Sequence, residues 1–183
     1  MPRAGLTTDA VVDVALAVVD EKGLDALSLA AVADRAGVAA PSLYKHVGSL
    51  ADLRDLMAIK AIREVTGVLT DAVLGRGRDD AVEALMRAYR AWVVANPGRY
   101  ALIPLDPLHR AGMTEVAQKL LDVFVAVMRG YGLDDEATTH AIRRGRAIIH
   151  GFVDLEIGGG FGLPEDIETT FNQLIDMFQR SLS

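Results

Sequence analysis

A hydroxyl, a phenol, an ammonium and an imidazole fall within five residues of one another, on Ser42, Tyr44, Lys45 and His46. No carboxylate stands anywhere between Ala36 and Ala51. Neutral donors and acceptors beside a fixed cation suit hydrogen bonding to base edges and contact with phosphates. They suit acid–base chemistry poorly, because no carboxylate is at hand to set an imidazole. At about 100° per helical residue, Leu43 and Val47 share one face of this stretch. Pro41, Ser42 and Lys45 take the opposite face, and Tyr44 and His46 flank them.

Such a face needs elements that hold it outward. Ser28 is placed to cap a short helix over 29–36, and Gly37 supplies the permissive backbone of a tight turn. Val38 can plug the angle between two helices. Pro41 suits the first turn of a second helix, where a missing N–H costs nothing. That helix is expected to end near His46 and Val47, before Gly48 and Ser49. Two short helices around a Gly-containing turn form a helix-turn-helix, whose second helix can enter a major groove.

The stretch from Gly37 to Met57, GVAAPSLYKHVGSLADLRDLM, resembles the recognition helix and following linker helix of TetR-type repressors. The Pro-Ser-Leu-Tyr-x-His-Val core, Pro41 to Val47, is the specific part of the match, which extends over about residues 8–60. The resemblance implies DNA contacts at Ser28, Ala40, Ser42, Tyr44, Lys45 and His46, to which the outward face adds Pro41. The chain departs from the pattern at Leu50, where many relatives carry a phosphate-binding Lys. It departs again at Leu29 and Ala30, where the tetracycline repressor has polar contacts.

Residues 1–60 hold six Lys or Arg and eight Asp or Glu, so this half is not basic overall. Most of its acids sit on or after the first helix and on the fourth, and the recognition segment carries none. Local placement governs binding more than net charge does. Arg3, near the start, could add a phosphate or minor-groove contact, as basic arms do.

Elsewhere the 183-residue chain is half hydrophobic, poor in aromatics and without sustained period-two alternation, which predicts an all-α fold. It has no cysteine, hence no disulfide framework and no thiolate metal site. No apolar run reaches the ~18 residues of a membrane span, and the start lacks a signal-peptide layout. The expectation is a cytoplasmic protein. Breakers divide the chain into a helix-turn-helix domain, 1–49, and a helical effector-binding and dimerisation domain, 50–183. A connecting helix is expected over 50–74, with others over 79–95, 98–103 and 110–129. Acids at 134–136 and at 165–166 open the final two helices, favoured there by the macrodipole.

The last helix repeats apolar residues at steps of three and four, including Phe171, Leu174, Ile175 and Phe178. The helix before it is apolar over a wide arc that includes Ile148, Phe152 and Leu155, with Gly145 and Gly151 permitting close approach. An arc so wide must bury two faces. One face is expected to meet a second copy, and these seven apolar residues are the candidate interface. The TetR resemblance implies the same, because that family forms a four-helix bundle between subunits. Two heads about 34–36 Å apart would read a palindrome.

Tyr89, Trp92, Tyr100, Met113, Phe124 and Met128 are the large adaptable side chains of the middle region. With His150 as a polar handle, they are the candidate lining of a small-molecule site. Residues 80–180 loosely resemble the C-terminal domain of a TetR subgroup marked by a Trp and a His-Gly pair, here Trp92 and His150-Gly151. Enzymatic chemistry finds no support. The four histidines are scattered, no phosphate loop or nucleophile elbow occurs, and no metal or cofactor is expected. The expected activity is that of a DNA-binding regulator, most plainly a repressor released by a small hydrophobic ligand. The competing expectation is a helical dimer that binds protein or ligand without reading DNA.

Overall fold

The computed structural model describes residues 6–182, which are helical with no strand; Arg3 lies outside them. Its α-helices are α1 (Thr8–Lys22), α2 (Leu29–Ala36), α3 (Leu50–Val73), α4 (Arg78–Ala95), α5 (Pro97–Tyr100), α6 (Thr114–Arg129), α7 (Asp135–Ile157) and α8 (Ile167–Arg180). None of these helices is long and apolar enough to cross a membrane. The ends follow local chemistry. Thr7, Ser28, Asp134 and Asp166 each accept a backbone N–H from the first turn that follows. Ser49 does the same for Asp52 at the start of α3.

Two expected helices come out shorter. α6 begins at Thr114 rather than near 110, because Gly112 takes a left-handed conformation, φ 78°, and breaks any helix there. The expected 98–103 helix is one turn, α5, continued by turns.

The chain clusters into two compact units, 1–62 with 96–114, and 63–95 with 115–183. The division thus falls within α3 rather than at residue 49, and the segment after α4 belongs with the first unit. Close packing explains that membership. A Cβ on Gly98 would lie 2.5 Å from Cγ1 of Val19, so only glycine lets α5 lie this close to α1. Arg99 then clamps Asp20, with N–O distances of 2.6 to 3.2 Å. The core of this unit joins Val11, Leu16 and Val19 of α1 to Val32 of α2, Leu43, Leu53 and Met57.

In the second unit α4 packs on α7 and α8. Tyr89, Trp92 and Val93 of α4, Val153 of α7, and Phe171 and Phe178 of α8 are buried. Arg90 ties the three helices together. Its guanidinium pairs with both oxygens of Glu156 at 2.7 Å and with Glu168 at 2.5 Å. It also lies over the rings of Phe152 and Phe171, 5.2 and 4.6 Å from their centroids. Those carboxylates hold the Arg90 guanidinium even more firmly protonated than usual. Arg87 adds bonds to Glu83, Glu168 and Asn172. Apart from Arg87 and Glu83, one helical turn apart, its partners are 66 to 85 residues apart, so no local pattern announces the network.

Candidate nucleic-acid interface

The turn after α2 is built as its residues require. Gly37 sits at φ 67°, ψ 34°, left-handed, and its N–H returns to the end of α2. The segment that follows, Ala40–Lys45, is a 3-10 helix rather than the expected α-helix. Its N-cap is Ala39, which offers no side-chain acceptor, and Pro41 brings no N–H. Bonds from Ser42 N–H to Ala39 and from His46 N–H to Leu43, both 2.8 Å, set the tighter winding.

That winding changes which side chains face out. At three residues per turn, Ala40, Leu43 and His46 form one stripe, and it is the inner one. Leu43 is fully buried, Ala40 packs against the core, and His46 is half-buried. The His46 carbonyl accepts from the Thr8 hydroxyl at 3.3 Å. Pro41 with Tyr44, and Ser42 with Lys45, form two outer stripes. Pro41 and Lys45 are exposed, Ser42 is half-buried, and Tyr44 is 60% exposed. Ser28 spends its hydroxyl oxygen on the α2 cap, accepting from Ala31 N–H at 3.1 Å. Leu50 and Leu29, the departures noted above, pack against the core, while Ala30 is exposed.

Four of the eight acids of this half are paired within the unit. Glu21 takes both guanidinium nitrogens of Arg35, at 2.5 and 2.6 Å, and that pairing holds its carboxyl below the usual range. Asp13 pairs with Lys60, Asp20 with Arg99, and Asp55 with Arg110. Among the described residues Lys45 has no ion pair, so its charge faces solvent undivided. The result is an outward face of phenol, hydroxyl and ammonium that can donate, accept and neutralise phosphate.

In the second unit Tyr89, Phe124 and Met128 come together. They surround an apolar gap of about 20 Å³ with Leu85, Met86, Ile142, Gly145, Ile149 and Phe178. Tyr89 Oη and His150 Nε2 are hydrogen bonded at 3.2 Å. Burial pushes the Tyr89 phenol up and the His150 imidazole down. Trp92 is buried but does not line this gap, and Tyr100 and Met113 belong to the first unit. The expected partner-facing set also divides. Phe152, Phe171, Ile175 and Phe178 are covered by their own chain, so they build the core and do not face a partner. Ile148 and Leu174 are half-buried, and Leu155 is 49% exposed. Periodicity reports that a helix has an apolar face, not which neighbour covers it. Met177 of α8, off the main apolar stripe, is 48% exposed.

These features define a helix-turn-helix protein with a second, helical unit. Residues 11–55 match the bacterial regulatory proteins of the tetR family, and residues 82–178 match the tetracyclin repressor-like C-terminal domain. The chain is 37% identical over 172 residues to Rv0681 of Mycobacterium tuberculosis, an uncharacterized HTH-type transcriptional regulator, covering 91% of this chain and 76% of that protein. It is 31% identical to YobS of Bacillus subtilis, also an uncharacterized HTH-type transcriptional regulator, over 99% of this chain and 95% of the relative. The solved structure of the TetR family protein ActR of Streptomyces coelicolor, in complex with (S)-DNPA, superposes with a TM-score of 0.60. It is 25% identical and covers 98% of this chain and 89% of ActR. The chain belongs to the TetR family of transcriptional regulators.

Proposed function

We infer that this regulator is a cytoplasmic, homodimeric repressor that reads a palindromic operator in double-stranded DNA and is released by a small apolar effector. The outward Pro41–Tyr44 and Ser42–Lys45 stripes carry the reading. Tyr44 and Ser42 meet base edges or sugar-phosphate, and Lys45 neutralises a phosphate. Ser28, Ala40 and His46 contribute mainly by fixing the pose. Selection of random duplexes by the purified protein at physiological salt tests this. It should enrich a palindrome with half-sites about one helical turn apart. A folded protein that enriches nothing would instead be a helical dimer without DNA specificity. Lys45→Ala should lower affinity for the selected operator and reduce the slope of log K against log salt by about 2, one phosphate per head. An unchanged slope would mean that Lys45 touches no phosphate.

The dimer reading rests on the face of α7 that its own subunit leaves open. His140, Arg143, Ala147, Gly151 and Asp154 recur at steps of three and four, and all are exposed. A Cβ on Gly151 would meet nothing within 4 Å. A mid-helix glycine costs about 1 kcal/mol relative to alanine, and nothing inside the subunit requires it. A second α7 crossing antiparallel between Ala147 and Gly151 supplies the reason, since small residues let helices approach. That register sets Arg143 of one copy against Asp154 of the other, twice, as two-fold symmetry demands. Leu155, Leu174 and Met177 border the crossing. Asp154→Arg should weaken the dimer about tenfold in sedimentation equilibrium, and adding Arg143→Asp should restore it. A double variant no better than the single one argues for another register.

ActR holds (S)-DNPA in its solved complex, which supports an effector for this chain too. The gap beside Tyr89 is its site. A ligand can shift the protein off DNA only by binding one state better than the other. α3, which enters both units, is the element that would carry the change.

A further inference from the structure

We propose that the effector is a neutral apolar molecule with one hydrogen-bonding group, admitted when Phe178 leaves its seat on Gly145, its polar atom meeting Tyr89 and His150. This rests on the reading of the second unit as an effector domain.

The gap fixes the class of ligand. At about 20 Å³ it has room for one water and for no organic molecule, so a ligand must displace a wall. The lining brings no charged side chain, and Tyr89 alone among its side chains carries a polar atom. An ion held in the gap itself would lose its hydration with no counterion in the lining, which disfavours acids and amines there. The two side chains at the polar end are uncharged as well, with Arg146 and Asp154 both acting on them. Burial holds the phenol protonated and the imidazole deprotonated at neutral pH. Arg146 pushes His150 the same way, and Asp154 only opposes it. His150 stands behind Tyr89 and outside the lining, so a ligand's hydroxyl or carbonyl must first reach the Tyr89 Oη, where it joins or replaces the bond to His150. Met86 and Met128 let the walls adapt to shape.

Phe178 is the wall able to move. Its ring lies so close over α7 that a Cβ on residue 145 would be 2.8 Å from Cζ. Glycine makes that seat, and no interlocking side chain at 145 holds the ring in it. Phe178 also lies in the last turn of α8, two residues from that helix's end. A benzyl group swung outward leaves room for about one aromatic ring. The seat lies between α7 and α8, the two helices that carry the proposed dimer face. Ligand entry therefore disturbs the packing on which the spacing of the heads depends.

The probes are 1-naphthol, naphthalene, 1-naphthoate and 1-naphthylmethylammonium, tested on the full chain by calorimetry and by operator release. Wild type should bind 1-naphthol and naphthalene, and the two ions at least a hundredfold more weakly. Phe178→Ala should bind both neutral probes about tenfold tighter. Tyr89→Phe should lose about tenfold for 1-naphthol and nothing for naphthalene. Neutral probes that bind neither protein, or a Phe178→Ala variant no tighter than wild type, would overturn the proposal. If Phe178→Ala does not fold, Tyr89→Phe decides alone, and equal changes for the two neutral probes overturn it. Release from the operator by an ionic probe would keep the effector reading and discard the neutral class. A protein that binds operator but is released by none of the four removes both, while the DNA-reading assignment stands.

Discussion

Tyr44→Ala should lower operator affinity by about thirtyfold or more while leaving fold and dimer unchanged. Tyr44 is 60% exposed on a segment whose anchors are Leu43 and Val47, both buried. Removing an exposed side chain away from the core changes stability by about 0.5 kcal/mol or less. Its loss on DNA is of another size. A good groove contact is worth about 1–3 kcal/mol, and a dimer makes it twice, so about 2–6 kcal/mol disappears from the complex. Electrophoretic mobility shift against the selected operator measures the loss, and sedimentation velocity checks the dimer. Retained affinity would move the readout to Ser42 and the 29–30 region, leaving Tyr44 a solvated phenol. A dimer that falls apart would instead mean that the head is not independent of the rest.

Phe171→Ala should cost about 3–5 kcal/mol of stability, whereas Met177→Asp should leave stability nearly unchanged and part the dimer. The two residues stand six apart on α8 and face different surroundings. Phe171 is fully buried, stacks on Phe152 at 4.8 Å and lies beneath the Arg90 guanidinium. Truncation leaves a cavity and withdraws a cation–π contact together. Domains are stable by only about 5–15 kcal/mol, so the variant should melt far earlier. Met177 is 48% exposed, and a carboxylate there is solvated in the monomer but stranded if a partner covers it. Urea titration at fixed protein concentration separates folding from association. A normal titration for Phe171→Ala with a lost dimer would put the interface back on the face that the structure fills with core.

The local grammar of this chain was legible because caps and breakers act within a few residues of themselves. Ser28, Gly37, Ser49, Asp134 and Asp166 mark boundaries that the structure keeps to within a residue or two. The helix-turn-helix followed from them, and so did its buried pair, Leu43 and Val47. The winding of the recognition segment was less legible. A 100° wheel put His46 near the outer face, whereas Pro41 and an uncapped start wind the segment as a 3-10 helix and turn His46 partly inward.

The sequence by itself determined most of the helices and their caps, the helix-turn-helix and the family. Each rests on chemistry between near neighbours or on a contiguous motif. Only the tertiary structure decided what each apolar face meets. It sent Phe152, Phe171, Ile175 and Phe178 into the subunit core and left Gly151 open while seating Phe178 on Gly145. It drew 96–114 to the first unit through Gly98 and Arg99. It also paired Arg90 with acids 66 and 78 residues away. Burial is non-directional, so a periodic stripe says that a face must be covered and is silent on by what. The choice among covers is made by the fit of many distant side chains at once, which no short window of sequence contains.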